Sequence, residues 1–173
     1  PGETGRSSAN AIDRDGAVVG YKNGNAFIGG SRPFVDFGLL PGATPGAGLG
    51  INSRGKVVGY STGTEIIPVT GSLWENTDSG YVKRTLGGLG GAYTRATGVN
   101  DADQIVGYSQ DLSGNDQAFL WSTGGTGSPT PLGFLDRHSM SYAIRINNKG
   151  TIIGYSWKMD DFYNETNTAC LWG

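Results

Sequence analysis

The sequence contains a single cysteine, Cys170, and a single histidine, His138, among its 173 residues. One thiol cannot close an intrachain disulfide, and no thiolate metal cluster can be assembled from it. Charge is scarce too: Asp, Glu, Lys and Arg make up 16% of the chain, the formal net charge is −2, and no block of basic residues occurs. Phosphate backbones are therefore not expected as partners, so the chain reads as having no nucleic-acid role. No apolar run approaches the roughly 20 residues that a spanning helix requires, and no polybasic or amphipathic stretch points to a membrane surface. Membrane insertion is not expected. Sustained helical periodicity is missing as well.

Glycine takes the place of what is lacking, with 31 residues. Glycine weakens helices and supplies tight turns, so this composition suits many short strands. Low charge combined with much Gly, Ser, Thr and Asn points to an extracellular, secreted protein. Pro1 is not an initiator, which fits removal of a signal peptide or of a longer precursor segment.

One pattern recurs four times: "AIDRDGAVVGYK" from residue 11, "GINSRGKVVGYS" from 50, "GVNDADQIVGYS" from 98 and "RINNKGTIIGYS" from 145. Its anchors are Ile12, Ile51, Val99 and Ile146, and a small residue (Ala9, Gly48, Ala96, Ala143) stands three positions before each. Each anchor is followed by Asp or Asn, a turn, an apolar β-branched pair and Gly-Tyr. A second element follows in each unit, as "AFIG", "GSLW", "AFLW" and "ACLW". A third, "DFGLLPG", "RTLGGLGG" or "TPLGFLD", closes three of the units, and the chain stops at Gly173 before a fourth copy.

Each unit reads as four short strands, the first two forming a hairpin. Asp or Asn at the entrance of that turn can bond its own backbone two residues on, and Gly16, Gly55 and Gly150 supply a positive φ. Asp103 stands at that place in the third unit and tolerates the left-handed conformation. The apolar pairs put one residue on each strand face, so both faces should be covered. Four-stranded units of about 40–50 residues match propeller blades better than the shorter rungs of an open β-solenoid. The expectation is an all-β, propeller-like single repeat domain over 1–173, with units near 1–40, 41–88, 89–135 and 136–173 and the last incomplete. Its open edge strand would pair with residues beyond these ends, with another copy or with a partner chain. The glycine-rich N-terminus looks too polar to supply that strand.

The series "GIN-x-x-G-x-V-V-G-Y-S", "AFLW" and "LG-x-LGG" resembles the extracellular HAF-repeat family of secreted bacterial proteins, over nearly the whole chain. Phe27-Ile28-Gly29 and Cys170 depart from the family pattern, as does the missing His ahead of "AFLW". The resemblance implies a secreted, propeller-like repeat protein and no established reaction.

Catalytic signals are thin. His138 is flanked by Asp136 and Ser139, but such close spacing makes no triad without supporting geometry, and no "GxSxG" elbow occurs. Cys170 reads as a small buried hydrophobe. Asp160, Asp161 and Glu165 do not by themselves make the opposed carboxylate pair of a glycosidase. The expectation is no catalytic residue and no enzyme, with a hydrolase as the distant alternative. "DRDG", with Asp13 and Asp15, and "NDAD" have the opening look of a calcium loop. Arg54 and Lys149 stand where the other copies would need a ligand, so hairpin turns are the preferred reading and no cofactor or metal is assigned. The recurring Tyr21, Tyr60, Tyr108 and Tyr155, and Trp74, Trp121 and Trp172, could each be equivalent sugar-stacking sites. Packing between blades is the preferred reading for both sets.

If the repeat is the frame, function belongs where the units differ. Insertions at 61–71, 109–117 and 156–168 fall between the second and third strands and should project from one face. The longest brings Trp157, Asp160, Asp161, Phe162 and Tyr163 together as the candidate ligand-binding residues, because exposed rings beside carboxylates suit carbohydrate or protein recognition. The same loop could equally pack on its neighbour. Asn164-Glu165-Thr166 is a glycosylation sequon, meaningful in a eukaryote. The sequence thus points to a lectin-like, secreted module for a glycan or cell-surface ligand. The alternative is a structural subunit of a larger assembly, completed by a partner strand.

Overall fold

The computed structural model describes residues 5–39, 44–62, 69–122, 124–159 and 164–173. Apart from one 3-10 turn, Phe37–Leu39, its regular elements are all strands. The first sheet is the meander β1 (Ser7–Ile12), β2 (Ala17–Lys22), β3 (Asn25–Gly30) and β4 (Val35–Asp36). The second is β5 (Gly46–Ile51), β6 (Val57–Ser61), β7 (Thr70–Thr77) and β8 (Gly80–Leu86). The third is β9 (Gly90–Val99), β10 (Ile105–Asp111), β11 (Asp116–Trp121) and β12 (Thr130–Pro131). The fourth has three strands, β13 (Met140–Ile146), β14 (Ile152–Met159) and β15 (Glu165–Trp172). Together the four antiparallel sheets form a four-bladed β-propeller.

The repeated turn has one construction in all four blades. Asp13 Oδ1 accepts the backbone N–H groups of Asp15 and Ala17 at 2.9 and 2.8 Å. Asn52, Asn100 and Asn147 do the same for the residues two and four positions on. The side chain thereby replaces the backbone partners that the turn leaves open. Positive φ falls where the pattern placed it, at Gly16, Gly55 and Gly150, with Asp103 at 61°.

The glycine of each Gly-Tyr pair has a different cause. The first strand of each blade carries a register shift next to its small residue. That irregularity drives a backbone carbonyl against the neighbouring strand. A Cβ on Gly20, Gly59, Gly107 or Gly154 would collide with the carbonyl oxygen of Ser8, Ala47, Arg95 or Tyr142 respectively.

Each of the first three blades turns a trailing face to the next blade's leading face. Val19, Ala26 and Ile28 of the first blade pack on Val57 and Trp74 of the second, with Phe37 stacked on Trp74 at 5.1 Å. Val58 and Leu73 pack on Ala96, Ile105 and Trp121 of the third. Val106 and Ala118 pack on Ala143 and Ile152 of the fourth. Both members of each apolar pair are therefore covered in the middle blades. Trp74 and Trp121 are buried interface residues; Trp172 is half-buried, and Gly29 stands in their place in the first blade. The end blades differ. Ile153 is 50% exposed where Val58 and Val106 are fully buried. Across the axis, Arg145 Nη2 donates to the Asn10 carbonyl at 3.3 Å, linking the fourth blade to the first.

Candidate ligand-binding site

In an antiparallel meander, the connection from second to third strand lies opposite the repeated Asp/Asn turns. The turn end of the axis is a polar depression of about 270 Å³, lined by Ile12, Ile51, Val99 and Ile146 together with turn residues of all four blades. The opposite end carries an aromatic cleft of about 410 Å³ lined by Tyr93, Tyr108, Tyr142, Arg95 and Asp116, with Val69 and Ala92 at its side.

The register of the inner hairpin builds this cleft. Tyr21, Tyr60, Tyr108 and Tyr155 sit opposite Ser8, Ala47, Arg95 and Tyr142 in turn. The repeated tyrosine is thus constant while its partner varies. Where the partner is large, it reaches back onto the preceding blade: the Arg95 guanidinium lies 4.6 Å over the Tyr60 ring. Likewise, Tyr142 meets Tyr108 edge-on with centroids 4.9 Å apart. Tyr155 stacks on Tyr142, also at 4.9 Å, and Tyr93 stands edge-on to Tyr108 at 6.4 Å.

Asp116, the first residue of β11, holds the cleft together. It is 8% exposed. Its Oδ1 accepts the Tyr93 hydroxyl and its Oδ2 accepts the Tyr142 hydroxyl at 2.8 Å. Burial first, and these hydrogen bonds second, push both tyrosine pKa values well above the ordinary phenol range. Each phenol has its proton committed to Asp116, which leaves its oxygen lone pairs as acceptors. Arg95 adds donors, with Nη1 3.5 Å from the Tyr108 hydroxyl. Flat apolar rings beside fixed acceptors and a guanidinium can stack on one face of a polyhydroxylated ligand and hydrogen-bond its edge.

Of the residues singled out from sequence, Trp157 lies elsewhere. Trp157 is not in a projecting loop. It lies within β14, paired with Met140 on one side and Asn167 on the other, and is half-buried. The 156–168 insertion is largely a lengthened hairpin: residues up to Met159 extend β14, and β15 resumes at Glu165. Its alternating side chains find cross-strand partners, which the polar composition did not announce. Asp160, Asp161, Phe162 and Tyr163 lie outside the described residues.

His138 is half-buried between β12 and β13, with Nδ1 3.0 Å from the Asp136 carbonyl and Nε2 3.3 Å from Thr168 Oγ1. Cys170 is half-buried, its Sγ lies 3.5 Å from the Thr168 carbonyl, and burial raises its thiol pKa. Asp13 gives Oδ1 to its turn, and its Oδ2 faces Arg32 Nη2 at 3.8 Å. Among the described residues no three Asp, Glu, His or Cys side chains cluster as a metal site.

Sequence reasoning missed Asp116, Arg95, Tyr93 and Tyr142. The available signal was the column Ser8, Ala47, Arg95, Tyr142, where blades of one pattern differ inside a strand rather than in an insertion. The chain matches no protein-family model and no curated protein.

Proposed function

We propose that this chain is a secreted binding module of the HAF-repeat kind, non-catalytic, which takes carbohydrate in the cleft around Asp116. The observation that carries this reading is the buried carboxylate clamped by Tyr93 and Tyr142, which fixes aromatic faces and acceptor oxygens before any ligand arrives. Preorganised rings and polar groups lower the ordering cost that weakens sugar binding. The constant tyrosine then has two roles. It packs where the facing residue is small, and with Arg95, Tyr93 and Tyr142 it becomes part of a site.

A glycan-array screen of the folded protein, with calcium present, tests the proposal. The expected outcome is a coherent set of bound sugars, with affinity reduced about tenfold or more by Tyr108→Ala, as expected when one stacking ring is removed. Trp157→Ala should leave binding intact, because Trp157 belongs to a different strand of the fourth blade. A blank array, or loss through Trp157→Ala but not Tyr108→Ala, overturns the cleft as the site.

A second reading, a subunit of a larger assembly, is favoured by one observation: the fourth blade's trailing face is uncovered, with Ile153 50% and Leu171 72% exposed.

A further inference from the structure

On the carbohydrate reading of the Asp116 cleft, on which this rests, we propose that the ligand is an acidic sugar, a hexuronate whose carboxylate pairs with the Arg95 guanidinium.

The half-buried arginines of the chain are Arg32, Arg84 and Arg95. A guanidinium that gives up part of its water requires a counter-charge or acceptors in exchange. Arg32 has Asp13 Oδ2 at 3.8 Å and donates to the Ser53 carbonyl at 3.1 Å. Arg84 has Glu75 Oε2 at 3.4 Å and donates to the carbonyls of Gly124 and Gly125. Arg95 is the exception. It lies 4.6 Å over the Tyr60 ring and has Nη1 3.5 Å from the Tyr108 hydroxyl. Among the described residues no carboxylate or carbonyl accepts from it, so most of its N–H donors have no protein acceptor.

The carboxylate of the cleft is already taken. Asp116 lines the same cleft, but its two oxygens accept the hydroxyls of Tyr93 and Tyr142. It is also 8% exposed, whereas Arg95 is half-buried, and no other charged residue lines the cleft among the described residues. The charge that the cleft offers to solvent is therefore positive. That charge reaches the site: burial and the bond to Asp116 raise the Tyr93 pKa, and Arg95 is the one group acting the other way.

The position belongs to a single blade. Arg95 pairs with Tyr108 in the third blade, where Ser8 and Ala47 stand opposite the repeated tyrosine in the first two. A hexuronate matches each part of this arrangement. Its ring offers a C–H face for stacking, its hydroxyls can donate to the phenol oxygens, and its planar carboxylate suits the paired donors of a guanidinium. A neutral hexose has the first two and leaves Arg95 without a partner.

Calorimetric titration of the intact chain with oligogalacturonate and oligoglucuronate, each against its methyl ester, is the test. The ester keeps the ring and its hydroxyls and removes the charge. At least one acid form should bind, with its ester about tenfold or more weaker. Added salt should weaken the acid form and leave the ester unchanged. Arg95→Gln should abolish the preference, and Arg95→Lys should keep part of it, since lysine retains the charge without the fork. Tyr108→Ala should weaken acid and ester alike, because it removes a ring and no charge. Circular dichroism checks that each variant keeps its strands; the ester comparison and the salt series use the wild-type chain and decide the matter without them. An ester that binds as tightly as the acid, or a preference that survives Arg95→Gln, overturns the proposal. Neutral glycans bound on the array, with neither acid form bound, also overturn it and leave the carbohydrate reading standing, whereas a blank array removes both.

Discussion

Tyr93 and Tyr142 share one carboxylate, and that sharing sets how the cleft responds to alkali. Their pKa values are raised by burial and then by the bond to Asp116, so the folded protein retains these protons where free tyrosine, near 10, would lose them. A raised folded pKa means that the contribution to stability is fully present below the unfolded value and is lost as pH climbs through the folded one. Alkaline titration followed by tyrosinate absorbance should therefore show a late-ionising group. Asp116→Asn should move that group to lower pH, while burial still holds it above 10. A single titration at the ordinary position would contradict the arrangement. Asp13 shows how much the facing atom matters at this scale. Where Asn52 and Asn100 present an amide to the next blade, Asp13 presents Oδ2, which is buried without a hydrogen bond and compensated by Arg32 at 3.8 Å.

At the scale of the element, the hairpin between the first two strands of each blade was legible because its causes are local. An Asx side chain closes the turn on its own backbone, and the residue at positive φ is glycine or Asp103. The glycine before each tyrosine was visible as a repeat, but its reason was not, since the carbonyl it must clear belongs to a neighbouring strand. Gly107→Ala should cost about 1–3 kcal/mol in urea unfolding, as overpacking does. Gly87→Ala, with open space around its Cβ, should stay within about 0.5 kcal/mol. Equal effects would mean that the close approach is not what holds glycine there. Trp157 lies in a strand for the converse reason. Residues 156–159 gain their strand character from pairing with β13 and β15, and the polar run that follows them resembles a loop when read alone.

For the molecule as a whole, cover is uneven. The middle blades are packed on both faces, whereas the fourth has its leading face packed and its trailing face open. Regions with fewer buried apolar contacts open at lower free energy. Amide hydrogen exchange should therefore be faster in β14 and β15 than in β10 and β11. Uniform protection across the third and fourth blades would show that the open face carries no stability deficit. The sequence by itself determined the strand-rich class, the four-fold repeat and the turns, because period, Asx turns and glycine act over a few residues. Only the tertiary structure decided which aromatic residues line one cleft. Arg95, Tyr142 and Asp116 come from two blades and meet because the propeller turns one inner strand onto the previous blade's tyrosine, a contact that no spacing along the chain records.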